Sequence, residues 1–292
     1  MSRILLTGAT GFIGRHVLPR LQGDVHAVTR HASPAGDGVT WHRADLLSSA
    51  AIVTEVRPEV LVHLAWYVEP GRYWTAPENI RWVEASLALL RAFAAAGGRR
   101  AVLAGTSAEY DWQALGGRCH EQRTPLRPAT LYGAAKHALH TAAAPYAEQS
   151  GFELAWGRIF FVYGPGEPEG RLVPSVGRAL LAGEPVPTTS GDQVRDFMYV
   201  EDAAAAFAAL ADGNTTGAVN IGSGDPVRVR DVVETIARQV GRQDLLRPGA
   251  LPDREGDPPR LVADVTRLRQ EVGIAPRTAL DEGLARTLES LR

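Results

Sequence analysis

Lysine is almost missing from this 292-residue chain. Of its 31 basic side chains only Lys136 is a lysine, which leaves 30 arginines (31 less 1). Cysteine is nearly absent too. Cys119 stands alone, so no disulfide can close within the chain, which fits a reducing cytoplasm. Charge of one sign is not in excess: a formal net charge of -2 and a pI near 6.5 argue against nucleic acid as the partner. Long hydrophobic runs are lacking. Stretches such as Ala203 to Leu210 fall well short of the ~20 residues that span a bilayer, so no membrane association is expected. The N-terminus enters an apolar run at Ile4-Leu5-Leu6 with no basic leader, and the expectation is a cytoplasmic protein. No internal repeat is visible, and no metal site is expected.

What is there begins with the surviving lysine. Arginine has replaced lysine wherever a surface charge was enough. A site that keeps lysine needs a compact charge on a thin stem, not a broad planar fork. Lys136 lies four residues after Tyr132, one helical turn away on the same face. A cation there is expected to lower the tyrosine pKa from about 10 toward the working range and make the phenol a usable acid or base.

The first half alternates β-like runs with helical ones. Strands are expected over 3–7, 25–29, 39–43 (weaker), 60–65, 101–105 and 153–161. Helices are expected over 12–21, 50–56, 80–96 and from Tyr132 to about Gln149. Such alternation implies an α/β fold with a doubly wound, mostly parallel Rossmann sheet. After Gly164-Pro165-Gly166 the texture changes: Gly and Pro are frequent and the helices at 232–240 and 280–291 look peripheral. The expected organisation is a dinucleotide-binding domain over 1–165, to which about 203–222 returns, and a smaller substrate-binding cap over 166–292. Val219 to Ile221 reads as a strand, and the Pro- and Arg-rich stretch 247–260 as a loop over the cleft.

Thr7-Gly8-Ala9-Thr10-Gly11-Phe12-Ile13-Gly14 follows the first strand directly and opens a helix. Gly8 and Gly11 let the backbone turn tightly beside a pyrophosphate, Gly14 lets the helix pack on the sheet, and the helix N-terminus supplies N–H donors. A glycine triplet alone is a weak signal; behind an N-terminal strand it is a strong one for a dinucleotide. Thr10, Phe12 and Ile13 fall in the same binding segment. The second strand ends Val28-Thr29-Arg30-His31, with no acid to grip the 2′-OH of NAD, so Arg30 is set to pair with the 2′-phosphate of NADP. NADP is therefore expected, with NAD as the lesser choice. Asp45-Leu46 either borders the adenine or starts a helix through an Asp45 N-cap.

These motifs, taken in order, resemble the extended short-chain dehydrogenases/reductases of the nucleotide-sugar epimerase/dehydratase family. The likeness covers nearly the whole chain. It includes residues 7–14, His63-Leu64-Ala65, the Tyr132/Lys136 pair, Val162-Tyr163-Gly164-Pro165, Val194 to Asp202 with its Arg195-Asp196, Asn220-Ile221-Gly222-Ser223-Gly224, and Arg254-Glu255-Gly256-Asp257. The resemblance implies that Leu64 and Ala65 border the cofactor and that Lys136 holds its nicotinamide ribose. It implies a third catalytic hydroxyl at Thr106, with Ser107 as the alternative and otherwise a substrate contact. It implies that Arg195 and Arg254 hold the nucleotide diphosphate and that Arg171, Leu172 and Val173 belong to the segment bordering the base. His63 is assigned to the turn. Trp66, with Trp74, Trp82 and Trp112, is a candidate wall of a sugar pocket or else core.

Departures from the pattern narrow the activity. Dehydratases of this family carry an Asp-Glu pair after the Ser/Thr, where this chain has Ser107 and Ala108; neither is a general acid of suitable pKa. Phe161 replaces the usual Asn before Val-Tyr-Gly-Pro. With Gly157 to Phe161, these features most resemble deoxysugar 4-ketoreductases related to abequose synthase. The expected function is NADPH-dependent reduction of a nucleotide-linked 4-keto-6-deoxyhexose. The alternative is an NAD(P)-dependent 4-epimerase, and the alternative of another class a non-catalytic NADP sensor. A homodimer is expected.

Overall fold

The computed structural model describes residues 2–31, 38–114 and 117–292. Its strands are β1 (Arg3–Thr7), β2 (Asp24–Thr29), β3 (Val39–Arg43), β4 (Val60–His63), β5 (Arg100–Thr106), β6 (Glu153–Ile159), β7 (Phe161–Tyr163), β8 (Val186–Pro187), β9 (Val194–Tyr199), β10 (Gly217–Ile221), β11 (Pro226–Arg228), β12 (Leu246–Arg247) and β13 (Arg260–Leu261). Its α-helices are α1 (Gly14–Val17), α2 (Ala51–Val56), α3 (Glu78–Ala95), α4 (Leu131–Ser150), α5 (Leu172–Ala182), α6 (Val200–Asp212), α7 (Val229–Val240), α8 (Thr266–Gln270) and α9 (Leu280–Leu291).

Seven strands form one parallel sheet in the order β10-β6-β5-β4-β1-β2-β3. The interior strand β5 is buried along its whole length, as a parallel strand covered on both faces must be, and it reads as an unbroken apolar run between Arg100 and Thr106. The edge strand β3 is only half-covered, which explains its weak sequence pattern. Two cores flank the sheet. Ala203, Ala206, Phe207 and Leu210 of α6 pack with Val17 on one face. Leu89 and Phe93 of α3 pack with Leu139 and Ala143 of α4 on the other. A third core joins α5, α7 and α9 through Val176, Leu180, Ile236, Leu284 and Leu288, against Phe197 of β9.

Strand order reverses at β1, whose neighbours are β4 on one side and β2 on the other. Loops at the carboxyl ends of β1 and β4 therefore diverge and open a crevice, the place where such sheets bind ligands. The Gly8 turn follows β1 and the Leu64-Ala65 turn follows β4, so the fold puts both at that crevice.

Two expected elements differ. The helix over 12–21 is a short α1 followed by a 3₁₀ turn at Leu18–Arg20. Pro19 has no N–H to donate to the α-helical ladder, so the last turn tightens. The strand over 153–161 breaks at Phe160. Its N–H goes to Ile221, and Phe161 to Tyr163 leave the large sheet to pair with β9 of a smaller sheet. The stretch 247–260 is mostly loop, pinned at its ends by β12 on β8 and β13 on β9.

Candidate active site

The turn after β1 is shaped by close approach. Gly8 has φ +74°, and a Cβ there would lie 2.7 Å from the Ala65 nitrogen; at Gly14 it would lie 2.0 Å from the Gly8 carbonyl. A side chain at Gly8 would press on the Leu64-Ala65 turn after β4, and one at Gly14 would push the first helix off the Gly8 turn. These residues fit a dinucleotide pyrophosphate, with Thr10 and Gly11 exposed at the rim. His63 serves the turn, as its position suggested. Its Nδ1 is hydrogen-bonded with Thr7 Oγ1 at 2.7 Å and its Nε2 with Ser86 Oγ at 2.9 Å, which joins β1, β4 and α3. Burial, with the Lys136 charge adding to it, lowers its pKa to about 3, so the ring is neutral.

Arg30 is exposed just beyond β2, on the side of the crevice where an adenosine ribose would lie. Asp45 is exposed, and its carboxylate accepts the Leu47 N–H and the Ser48 hydroxyl, a turn of its own that ends before α2 begins at Ala51. It is therefore not the N-cap of α2. Leu46 is 8% exposed and packs in the core under this turn.

The side chains expected to be catalytic lie where β5 ends and α4 starts. Thr106 closes β5 and caps a 3₁₀ turn, its hydroxyl accepting the Ala108 N–H at 3.2 Å. Thr130 caps α4 by accepting from Gly133 N. A Cβ on Gly133 would lie 2.3 Å from the Ala108 carbonyl, so only glycine lets the first turn of α4 seat on the Thr106 turn. That contact brings Tyr132 within hydrogen-bonding influence of Thr106. Lys136, one turn on, is 4% exposed; its Nζ donates to the Ala104 carbonyl at 2.8 Å.

The electrostatics depart from expectation. Burial, with Tyr73 adding to it, pushes the Tyr132 pKa up, against the lowering pull of the Thr106 bond and of Arg171. Lys136 is not among the groups that lower it; its ammonium donates to Ala104 and faces the Trp66 ring. Lys136 itself is lowered to about 7 by burial, with the Glu109 charge opposing.

Around Tyr132 lies an apolar, aromatic enclosure. Tyr73 meets it edge-on at 4.9 Å and Trp74 at 5.8 Å, and Trp112 stands 6.0 Å from Trp74. Ala108 belongs to this cluster at 2% exposure. Trp82, a candidate wall residue, is instead buried against Trp66 and His63. Ser107 is buried beside Thr106 and its carbonyl accepts from Trp112 Nε1.

Arg171 reaches this enclosure, whereas Arg254 is exposed and acts on Tyr73 only through its charge. Arg171 stands over the Tyr73 ring at 5.3 Å, and both cations pull the raised Tyr73 pKa downward against burial. Arg195 does not join them. Its side chain is 4% exposed, ion-paired with Asp257 at 2.6 Å and bonded to the Val194 and Pro258 carbonyls. To hold a diphosphate it would have to give up Asp257. Val173 is 1% exposed in the cap core and Leu172 packs against it, so their backbone rather than the Val173 side chain is left to border a base.

Several residues of the site escaped the sequence reading. Glu109 accepts the Thr106 N–H at 2.8 Å and completes a capping box with it; the Thr-x-x-Glu spacing carried that signal. Its buried partner Arg158, at 3.0 Å, carried none. Asp196 is fully buried and staples the Asn220–Gly224 turn by accepting from Ser223 N and Oγ and from Gly224 N, while Ala263 N adds the last strut. The adjacent Arg195 and Asp196 thus fix different segments of the cleft.

Comparison with known proteins agrees with this fold. Residues 4–222 match the family described as NAD dependent epimerase/dehydratase. The UDP-glucose 4-epimerase of Mycolicibacterium smegmatis is 30% identical over 99% of this chain and 98% of its own length. Among solved structures, MoeE5 in complex with UDP-glucuronic acid and NAD is 32% identical, covers 99% of this chain and 98% of its own, and superposes with a TM-score of 0.87. The Thermus thermophilus UDP-glucose 4-epimerase complex with NAD is 27% identical with the same coverage and the same TM-score.

Proposed function

The chain belongs to the NAD dependent epimerase/dehydratase family, and on that premise we propose that it acts at C4 of a nucleotide-linked hexose as a 4-epimerase. The observation that carries this reading is the Thr106–Tyr132–Lys136 group at the mouth of the glycine-loop crevice, in a chain alignable end to end with a UDP-glucose 4-epimerase. A bound nicotinamide cofactor would supply the hydride acceptor and donor. Gly8, Gly11 and Gly14 would receive its pyrophosphate, and Lys136 would hold its nicotinamide ribose.

Tyr132 moves the proton at the C4 oxygen in this reading, and Thr106 steadies that oxygen by hydrogen bonding. Arg171 and Arg254 meet the substrate from the cap, where guanidinium suits phosphate or carboxylate oxygens. With Ser107 and Ala108 after Thr106, no acid is placed there to expel a C6 hydroxyl, so dehydration is not expected.

A second reading, reduction of a 4-keto-6-deoxyhexose, has two supports. Ala108 and the ring of aromatics offer an apolar surface suited to a methyl at C5, and a phenol kept protonated by burial is set to donate a proton to a ketone. Arg30 would then select NADPH.

One experiment separates the two. The purified protein is incubated with NAD and either UDP-glucose or UDP-glucuronic acid, and in parallel with NADPH and dTDP-4-keto-6-deoxyglucose. Interconversion of the 4-epimers without net change in reduced cofactor is the expected result. Stoichiometric loss of NADPH with formation of a single C4 alcohol replaces the first reading by the second.

A further inference from the structure

The indole of Trp66 lies beneath the ammonium of Lys136. Nζ stands 3.7 Å from the ring centroid, within the roughly 6 Å reach of cation–π attraction. The indole is itself held from two directions. Its Nε1 donates to Asn79 Oδ1 at 2.9 Å, and its face stacks on Trp82 with centroids 5.9 Å apart and planes 28° from parallel. Asn79 is fully buried and spends its own amide on the Tyr73 and Ala76 carbonyls at 2.7 and 2.9 Å, so it cannot turn away. Trp82 lies in the core beneath β4. A rigid column thus runs from the core through two indoles to the lone ammonium. At its top Lys136 has a neutral carbonyl, that of Ala104, on one side and a π face on the other. A four-carbon stem with three rotatable donors needs such a seat if the charge is to stay in one place.

We infer that Trp66 is a positioning residue for Lys136: its ring face, locked by Asn79 and Trp82, fixes the ammonium above the end of β5, one helical turn from Tyr132. This displaces the expectation that Trp66 walls the sugar. The inference rests on the proposed role of Lys136 in chemistry at C4, and its test has an arm that does not.

The single lysine makes that arm possible, because protein labelled with ¹³C,¹⁵N-lysine gives one side-chain spin system. In the wild type the Lys136 ε-methylene protons are expected upfield of the ordinary lysine position, shifted by the indole ring current. Trp66→Leu should return them to that position, and Trp66→Phe, with a smaller ring on the same face, should keep part of the shift. In the kinetic arm, with NAD and UDP-glucose or UDP-glucuronic acid, Trp66→Leu should lower kcat roughly tenfold with little change in KM, and Trp66→Phe should restore part of the loss.

An unshifted ε-methylene signal in the wild type overturns the inference, and needs no variant to fold. So does a rise in KM at constant kcat in Trp66→Leu, which would make Trp66 a substrate wall. If neither sugar is turned over by the wild type, the proposed function fails, and the inference then stands or falls on the lysine signal and its response to Phe and Leu.

Discussion

The carboxylate of Glu109 and the guanidinium of Arg158 meet at 3.0 Å behind the backbone of Thr106, with side chains 0% and 1% exposed. Glu109 also accepts from Trp156 Nε1 at 2.9 Å, and Arg158 donates to the Glu121 carbonyl at 3.1 Å. The pair ties β5, β6 and the turn capped by Thr106 into one unit. Glu109→Ala would leave a buried guanidinium uncompensated and should cost about 3–5 kcal/mol in urea unfolding. Glu109→Ala with Arg158→Met should recover part of that stability but not the activity, because the Thr106 N–H still lacks its acceptor.

Tyr132→Phe keeps the edge-on contacts with Tyr73 and Trp74 and removes only the hydroxyl. Stability should change by about 1 kcal/mol or less. Steady-state kcat/KM should fall on the order of a hundredfold or more, with cofactor affinity by titration little altered.

Lys136 links activity to pH-dependent stability. An unfolded lysine keeps its proton to about 10.5, whereas here it is lost near 7 because burial disfavours the charge. Between those values the unfolded chain binds more protons, so wild-type stability rises with pH across that window. Lys136→Met removes the buried charge. It should be more stable than the wild type below pH 7, on the order of 2 kcal/mol, with the gain fading as pH climbs toward 10.5. Thermal unfolding at pH 6, 8 and 10 checks this. The same variant, and Lys136→Arg with its wider fork, should lose most turnover.

Arg30→Asp tests the cofactor. Placing a like charge beside a 2′-phosphate should weaken NADPH binding far more than NADH binding in fluorescence titration. Equal changes for the two would make Arg30 a surface charge and leave NAD as the natural partner.

The large sheet was readable because its strands are short apolar runs separated by amphipathic helices, a pattern that survives without tertiary knowledge. The expectation that Thr106 and Tyr132 act together came from the family resemblance alone; the Thr130 cap and the close approach at Gly133, which seat α4 on the Thr106 turn, emerge only in the folded chain. Long-range charge partners leave no local mark: nothing near Arg195 announces Asp257, and nothing near Glu109 announces Arg158. The aromatics divided in the same way. Trp66, Trp74, Trp82 and Trp112 look alike as residues, yet Trp82 packs in the core, Trp74 and Trp112 enclose Tyr132, and Trp66 faces the lysine. The break at Phe160 escaped notice because β6 and β7 are both apolar, and only pairing partners distinguish them.

The last strand of the large sheet, β10, is laid against β6 only after the chain from Phe160 to Thr216 has been spent on the cap and on α6. During synthesis β6 therefore waits with an open edge, and the sheet face that receives Phe207 stays wet. The large sheet is completed only by a strand that follows the elements of the smaller sheet in the chain. A fragment ending near Gly164 would carry an unpaired strand and an uncovered apolar face, and should collect in inclusion bodies, whereas a chain reaching past Ile221 gives β6 its closing strand.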